Sequence, residues 1–156
     1  MDVKRHDDRI IVIKLLIEGR PFNVVSAYAP QVGLSAQVKE EFWNDLDGLF
    51  QSIPPEEGIL VGGDLNGHVG READSYQSCH GGFGYGERNE EGKAILDLAV
   101  AYNLMIANTY FKKRDEHLIT FESGRARTQI DYLLTRASER RNCADCKAIR
   151  RGDLMS

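Results

Sequence analysis

Cysteine is scarce in this sequence. Three residues among 156, Cys79, Cys143 and Cys146, are too few and odd in number to form a disulfide framework. Cys143 and Cys146 stand as C-x-x-C and Cys79 precedes His80, but this spacing matches no closed four-ligand zinc pattern. "CADCKAIR" reads instead as a strand with partly buried thiols, Ala144–Arg150. Long apolar runs are missing as well. None approaches the roughly 18 residues that cross a bilayer, so no membrane partner is expected. The opening "MDVKRHDDR" has no apolar stretch behind it, so no secretory signal is read and the expected location is intracellular. Repeats, linkers and low-complexity segments are also absent, and the length suits one domain over residues 1–156.

Charge is present in both signs but unevenly placed. Residues 1–111 carry a net −8 and residues 112–156 a net +4, within an overall −4. A basic C-terminal third can contact phosphates, although a solvated face has the same composition. Arg125, Arg127 and the run Lys112–Arg114 are its candidates.

The pattern of apolar residues places the elements. "RIIVIKLLIEGRPFNVVSAYAP" reads as strands Ile10–Ile17 and Phe22–Tyr28 around the turn Glu18-Gly19-Arg20-Pro21. Their near-continuous apolar character predicts burial on both faces. Ser35 can cap a helix in which Val38, Phe42, Leu46, Leu49 and Phe50 recur at helical spacing, until Pro54 and Pro55 end it. The neighbours Phe42 and Trp43 read as core packing. "GILVG" is a short buried strand. Residues 68–89, dense in Gly, Ser and charge, form a long loop of the kind that usually carries function. A second helix covers Glu91–Asn103, with Ile95, Leu98, Ala99 and Tyr102 on one stripe. "LMIANTYF", "HLITFES" and "TQIDYLLT" follow as strands, the last two around the turn Ser123-Gly124-Arg125. About seven strands and two well-separated helices make an α/β or α+β domain.

"GILVGGDLNGHVG" is where chemistry is concentrated. Gly62-Gly63 lets the backbone turn and approach a ligand closely. Alternation then puts Asp64 and Asn66 on the same side of an extended chain. A carboxylate there can take a proton from water while a carboxamide donates to a phosphate oxygen, a division of labour that suits phosphodiester hydrolysis. Asn-Gly is also a common turn pair, so the stretch alone leaves a plain turn open. Tyr28 lies at a strand end before Ala29-Pro30, where its hydroxyl can donate to phosphate or simply pack. Asp131 stands inside an apolar strand, where a carboxylate needs a partner unless it lies at an exposed edge.

Tyr-Ala-Pro, Gly-Asp-Leu-Asn and Ile-Asp-Tyr-Leu-Leu, in this order and at strand ends, resemble the endonuclease/exonuclease/phosphatase superfamily. The resemblance is strongest to the apurinic-type endonuclease domains of non-LTR retrotransposons, including relatives of the craniofacial development protein 2 type. It runs from about Arg9 to Ser156 and includes "GFGYGERNEEGKAILDLAVAYNLMIANTYF" and Thr120 of "ITFESG". It implies a four-layer αββα sandwich, two mixed sheets each covered by helices, of which this chain would be a part. It also implies hydrolysis of phosphate esters with Mg²⁺ or Mn²⁺, and DNA as partner, which would make the location nuclear. Asp64 would orient or deprotonate the attacking water, and Asn66 would position the water and a phosphate oxygen, the two together being the chain's metal ligands. Tyr28 would donate to the scissile phosphate and Asp131 would orient a histidine. Thr120 and Asn89, with Arg125 and Arg127, would lie on the substrate side.

The same resemblance implies absences. The family's first-strand Asn, its metal-binding Glu and its last-strand His have no counterpart, and no motif supports His6, His68, His80 or His117 as a substitute. The expectation is therefore a domain truncated at both ends, with little or no nuclease activity, and with open sheet edges that invite self-association. Two alternatives stay open: a non-catalytic retroelement-derived remnant that binds DNA or protein, and a phosphatase acting on lipid or nucleotide substrates.

Overall fold

The computed structural model describes residues 2–5 and 8–149. Its centre is a six-stranded mixed sheet in the order β1-β2-β3-β4-β8-β5. Strands β1 (Asp2–Arg5), β2 (Ile10–Ile17) and β3 (Arg20–Ala27) form an antiparallel meander. The β2–β3 turn is tight because Glu18 and Gly19 both take positive φ, 52° and 80°, the twist-matched two-residue hairpin geometry. Helix α1 (Ala36–Ser52) then crosses over so that β4 (Gly58–Asp64) pairs parallel with β3. Ser35 caps α1 through its side chain, accepting from the Val38 N–H. Helix α2 (Glu90–Ala101) leads to β5 (Leu104–Ile106), and β8 (Asp131–Arg136) runs antiparallel between β4 and β5. Between them β6 (Phe121–Ser123) and β7 (Ala126–Thr128) make a separate two-stranded hairpin.

Both helices lie on one face of the sheet. Phe42, Leu46 and Phe50 of α1 and Ile95, Leu96 and Ala99 of α2 share one buried cluster with Ile10, Val12, Val25, Val61, Leu134 and Ile106. These strand residues alternate with a second set that faces the other way. On that side the register aligns Ile13, Val24 and Leu60, with Leu133 opposite Gly62. All four are only half-buried, and Ile11 beside them is 42% exposed. The expectation of burial on both faces of β2 and β3 is thus corrected: one face is covered by helices and the other is open. What the chain forms is one helix-covered sheet plus a small hairpin, consistent with part of a layered α/β sandwich.

Several element expectations shift. The strand read at Ala144–Arg150 is not one: residues 143–149 are irregular, held by the Ala148 N–H on the His117 carbonyl and by His117 Nδ1 against the Ala148 carbonyl. Asp145 accepts from the Cys146 N–H, a local bond that competes with strand pairing. Arg150 lies outside the described residues. Gln129 and Ile130 interrupt "TQIDYLLT", so Thr128 ends β7 and Asp131 begins β8. Strand β1 carries no period-2 apolar signal; it forms because β2 offers it a backbone edge. No described helix is long and apolar enough to cross a membrane.

The two-faced sheet gives a direct contrast. Leu134 is 1% exposed, and Leu134→Ala is expected to cost about 2–5 kcal/mol in urea unfolding. Its neighbour Leu133 faces the open side, so Leu133→Ala should cost clearly less. Equal losses would mean the second face is covered.

Candidate active site

Three strand ends meet at one edge of the sheet. Strands β3 and β4 run parallel and stop together, while β8 runs the opposite way and starts there, so Tyr28, Asp64 and Asp131 are gathered by topology. The Ala29 N–H donates to the Asp64 carbonyl (2.8 Å) and the Leu65 N–H to the Ile130 carbonyl (2.8 Å). Gly63 makes the approach possible. Its φ is +147°, and a Cβ there would sit 1.9 Å from the Ala27 carbonyl oxygen.

Asp64 and Asp131 are direct partners across the antiparallel β4–β8 pair. Like charges so placed repel. The Asp64 carboxyl is raised above its ordinary value mainly by burial, and further by the charge of Asp131, against a bond from the Asn66 N–H that lowers it. That bond, Asn66 N–H to Asp64 Oδ1 at 2.9 Å, closes a turn in which Asn66 takes the left-handed conformation, φ 47°. The Asn66 amide also donates to the Ala29 carbonyl (2.7 Å), which leaves its second N–H and its oxygen for other partners.

Thr120, expected on the substrate side, is bonded to backbone. Its Oγ1 accepts from the N–H groups of Ile130 and Asp131, both at 3.0 Å, so it anchors the backbone that presents Asp131. Asn108, not singled out from the sequence, does the same from the other side. Its Oδ1 accepts from the Leu133 N–H at 2.8 Å, continuing with a side chain the pairing that β5 ends at Ile106. Arg9 was also missed. Its guanidinium lies 5.5 Å from the Tyr28 ring centre and donates to the Tyr28 carbonyl, beside a ring that is 46% exposed.

No family model matches the chain. In sequence it is similar to craniofacial development protein 2 of Tragulus javanicus, 33% identical over 140 residues and 87% of this chain. To the Bos taurus protein of the same name it is 32% identical over 145 residues and 90% of this chain. It spans only 24% of the length of each of these curated relatives. In structure it is similar to an endonuclease/exonuclease/phosphatase family protein from Leptotrichia buccalis, with a TM-score of 0.52 and 15% identity over 81% of this chain and 40% of that one. It is also similar to D. rerio TDP2 complexed with single strand DNA product, with a TM-score of 0.54 and 9% identity over 81% of this chain and 46% of that one. The chain has the endonuclease/exonuclease/phosphatase fold.

Within this fold the glycine-rich loop after Asn66 is tied down rather than loose. Asn89, expected on the substrate side, caps α2: its Oδ1 accepts from the Gly92 N–H (2.8 Å) and the His68 N–H (2.9 Å). The Tyr132 hydroxyl sits 2.7 Å from both the Gly67 and Gln129 carbonyls and accepts from the Val69 N–H. Burial pushes this phenol well above its ordinary range. Arg127 lines a cleft of about 430 Å³ with His68, Arg71 and Tyr85, so the β6–β7 hairpin reaches the loop beside the site. Arg125 follows the hairpin turn at Gly124 and is exposed. In the run Lys112–Arg114, Lys113 is ion-paired to Asp145 at 2.7 Å and Arg114 to Glu116 at 3.3 Å, which mutes that part of the expected basic patch.

Among the described residues no histidine is hydrogen-bonded to Asp131. His80 is 1% exposed, its Nδ1 accepting from the Gly82 N–H while Nε2 donates to the Gly70 carbonyl, so it is a neutral pin for the loop. His117 braces residue 148, and His6 lies outside the described residues. Cys79 is buried with its thiol against the Tyr76 and Leu96 carbonyls. Among the described residues no group of three or more His, Cys, Asp or Glu side chains could hold a metal. The donor set at the strand ends is thus two opposed carboxylates with the Asn66 carboxamide beside them. That suits a hard cation such as Mg²⁺, which is commonly held by one or two carboxylates with water and substrate phosphate completing the shell.

Two pH effects follow. Because the folded chain raises the Asp64 carboxyl, its ionised form destabilises the fold as pH rises above the ordinary 3.8. Asp64→Asn is therefore expected to unfold at a higher urea midpoint than the parent at neutral pH, and the gain should vanish below 3.8. Burial holds His80 below its ordinary 6.5, so its contribution is complete above 6.5 and is lost as pH falls beneath it. Unfolding titrations should show that loss, and His80→Gln should flatten it.

Proposed function

We propose that this chain carries the strand-end part of a divalent-metal-dependent phosphodiesterase site that acts on DNA, of the type encoded by non-LTR retrotransposons. The observation that carries this reading is the Asp64–Asp131 opposition beside Tyr28 and Asn66 at one sheet edge. In it Asp64 orients the attacking water and takes its proton. The spare N–H of Asn66 and the hydroxyl of Tyr28 orient phosphate oxygens, while Thr120 and Asn108 fix Asp131 through its strand. Asp64, the Asn66 oxygen and Asp131 would hold Mg²⁺ or Mn²⁺, which would polarise the phosphoryl oxygen when bound.

DNA as partner is supported by the name of a structural neighbour, D. rerio TDP2 complexed with single strand DNA product. It is also supported by the exposed Arg125 and Arg127 on the hairpin beside the site. A nuclear location goes with that partner. Low turnover of the chain on its own is part of the proposal. Among the described residues no histidine bonds Asp131 and no third acidic side chain joins the pair, and catalytic groups that act as a unit fail together. The open apolar face, with β1 at one end of the sheet order, supports self-association in isolation.

Two assays test this reading. A supercoiled plasmid incubated with the chain and Mg²⁺ should show at most slow nicking, lost in Asp64→Ala and in Asp131→Ala. Rapid nicking that Asp64→Ala abolishes would keep the chemistry and remove the low turnover. Affinity for duplex DNA should fall linearly with salt on a log–log plot, and Arg125→Gln with Arg127→Gln should lower the slope by about 2. DNA binding without any nicking, unchanged by Asp64→Ala, would favour the non-catalytic remnant.

A further inference from the structure

The outer surface of the helix layer holds a groove that shares no residue with the strand-end site. It runs between α1 and α2, encloses about 470 Å³, and is lined on one wall by Glu40, Trp43, Asn44 and Asp47 and on the other by Asp97 and Leu98, with Ala94 and Ala101 beside them. Trp43 and Leu98 form its apolar floor; both are only partly buried, although they pack on the core cluster. The alanines keep the α2 wall low, so a backbone can come close. Three carboxylates stand on the rim, and no Lys, Arg or His lines it. Asp47 accepts from the Tyr102 hydroxyl and the Gln51 amide, and Asp97 from the Tyr76 hydroxyl, so both are held in place. Residues 40 to 47 and 94 to 101 each span seven positions, about 10 Å or two helical turns.

We propose that this groove is a docking surface for a basic amphipathic helix, its leucine-type side chains on Trp43 and Leu98 and its Lys or Arg residues against Glu40, Asp47 and Asp97. Charge complementarity selects this occupant. An acidic helix would meet three like charges, and an uncharged one would leave them without a counter-charge as it covers them. The geometry is that of an amphipathic helix laid apolar face down in a groove, and the charged rim sets specificity and association rate more than affinity.

Trp43 is the sole tryptophan of the chain, so its emission reports on the floor directly. The probe is a synthetic amphipathic helical peptide of leucine and lysine, labelled for anisotropy, with a leucine–glutamate peptide of the same pattern as control. The basic peptide is expected to bind with a shift in Trp43 emission that saturates with the anisotropy, and binding should weaken as salt rises. Glu40→Lys with Asn44→Lys, both exposed positions, should weaken it by about tenfold or more. Circular dichroism of that variant should match the parent, which separates a lost surface from a lost fold. Three outcomes overturn the proposal: equal binding of the acidic peptide, unchanged binding to a folded double variant, and anisotropy without any Trp43 response. Failure of the basic peptide to bind at all overturns it too. None of these outcomes bears on the phosphodiesterase reading, which uses no residue of the groove.

Discussion

The register that sets Asp64 opposite Asp131 is the constraint on which this molecule's edge is built. Antiparallel pairing of β4 with β8 fixes it, and sliding β8 by one residue would turn Asp131 and the whole apolar set of that strand to the opposite face. The cost is a pair of like charges held side by side in a partly buried position. The fold bears that cost with a dense set of anchors around the pair: Thr120 and Asn108 on the backbone of β8, Asn66 on Asp64, and Gly63 lying against Ala27 where no side chain fits.

The rest of the molecule serves that edge from one side. Two helices cover one face of the sheet and deliver the loop that follows Asn66 to the N-terminus of α2, where Asn89 caps the helix and holds His68 in the same act. Tyr132, one residue after Asp131, reaches through the core to bind the same loop at Gly67 and Val69. Core and site are thus one structure here: the residue that fills the sheet interior also fixes the loop that borders the carboxylates. The other face stays half-exposed and apolar, a layer that the sandwich architecture of the fold would cover.

Much of this was legible in the residues. The strand Ile10–Ile17, the Ser35 cap and the stripe Phe42, Leu46, Phe50 were plain from period and punctuation, because those signals are local. Asp64, Asn66 and Tyr28 stood out since polar groups at the ends of apolar strands have few structural reasons to be there. Thr120, Asn89 and Asn108 were harder. Each works by bonding backbone from a distant segment, and a side chain acting in place of a strand or a cap leaves no pattern in its own neighbourhood. The strand expected at Ala144–Arg150 failed for the converse reason. Strand-like composition does not supply a partner edge, and β5 and β8 end before that segment reaches them.

The sequence by itself determined the strand Ile10–Ile17, the capped helix after Ser35 with its apolar stripe, and which polar residues stand at strand ends. It also set the acidic balance of the first 111 residues, which the helix groove displays on its rim. Only the tertiary structure decided that Asp131 faces Asp64, that Thr120 bonds the backbone leading into Asp131, and that one side of the sheet is left half-exposed. These are matters of register and layering. They depend on which strands become neighbours after long stretches of intervening chain, and local periodicity carries no information about pairings so far apart.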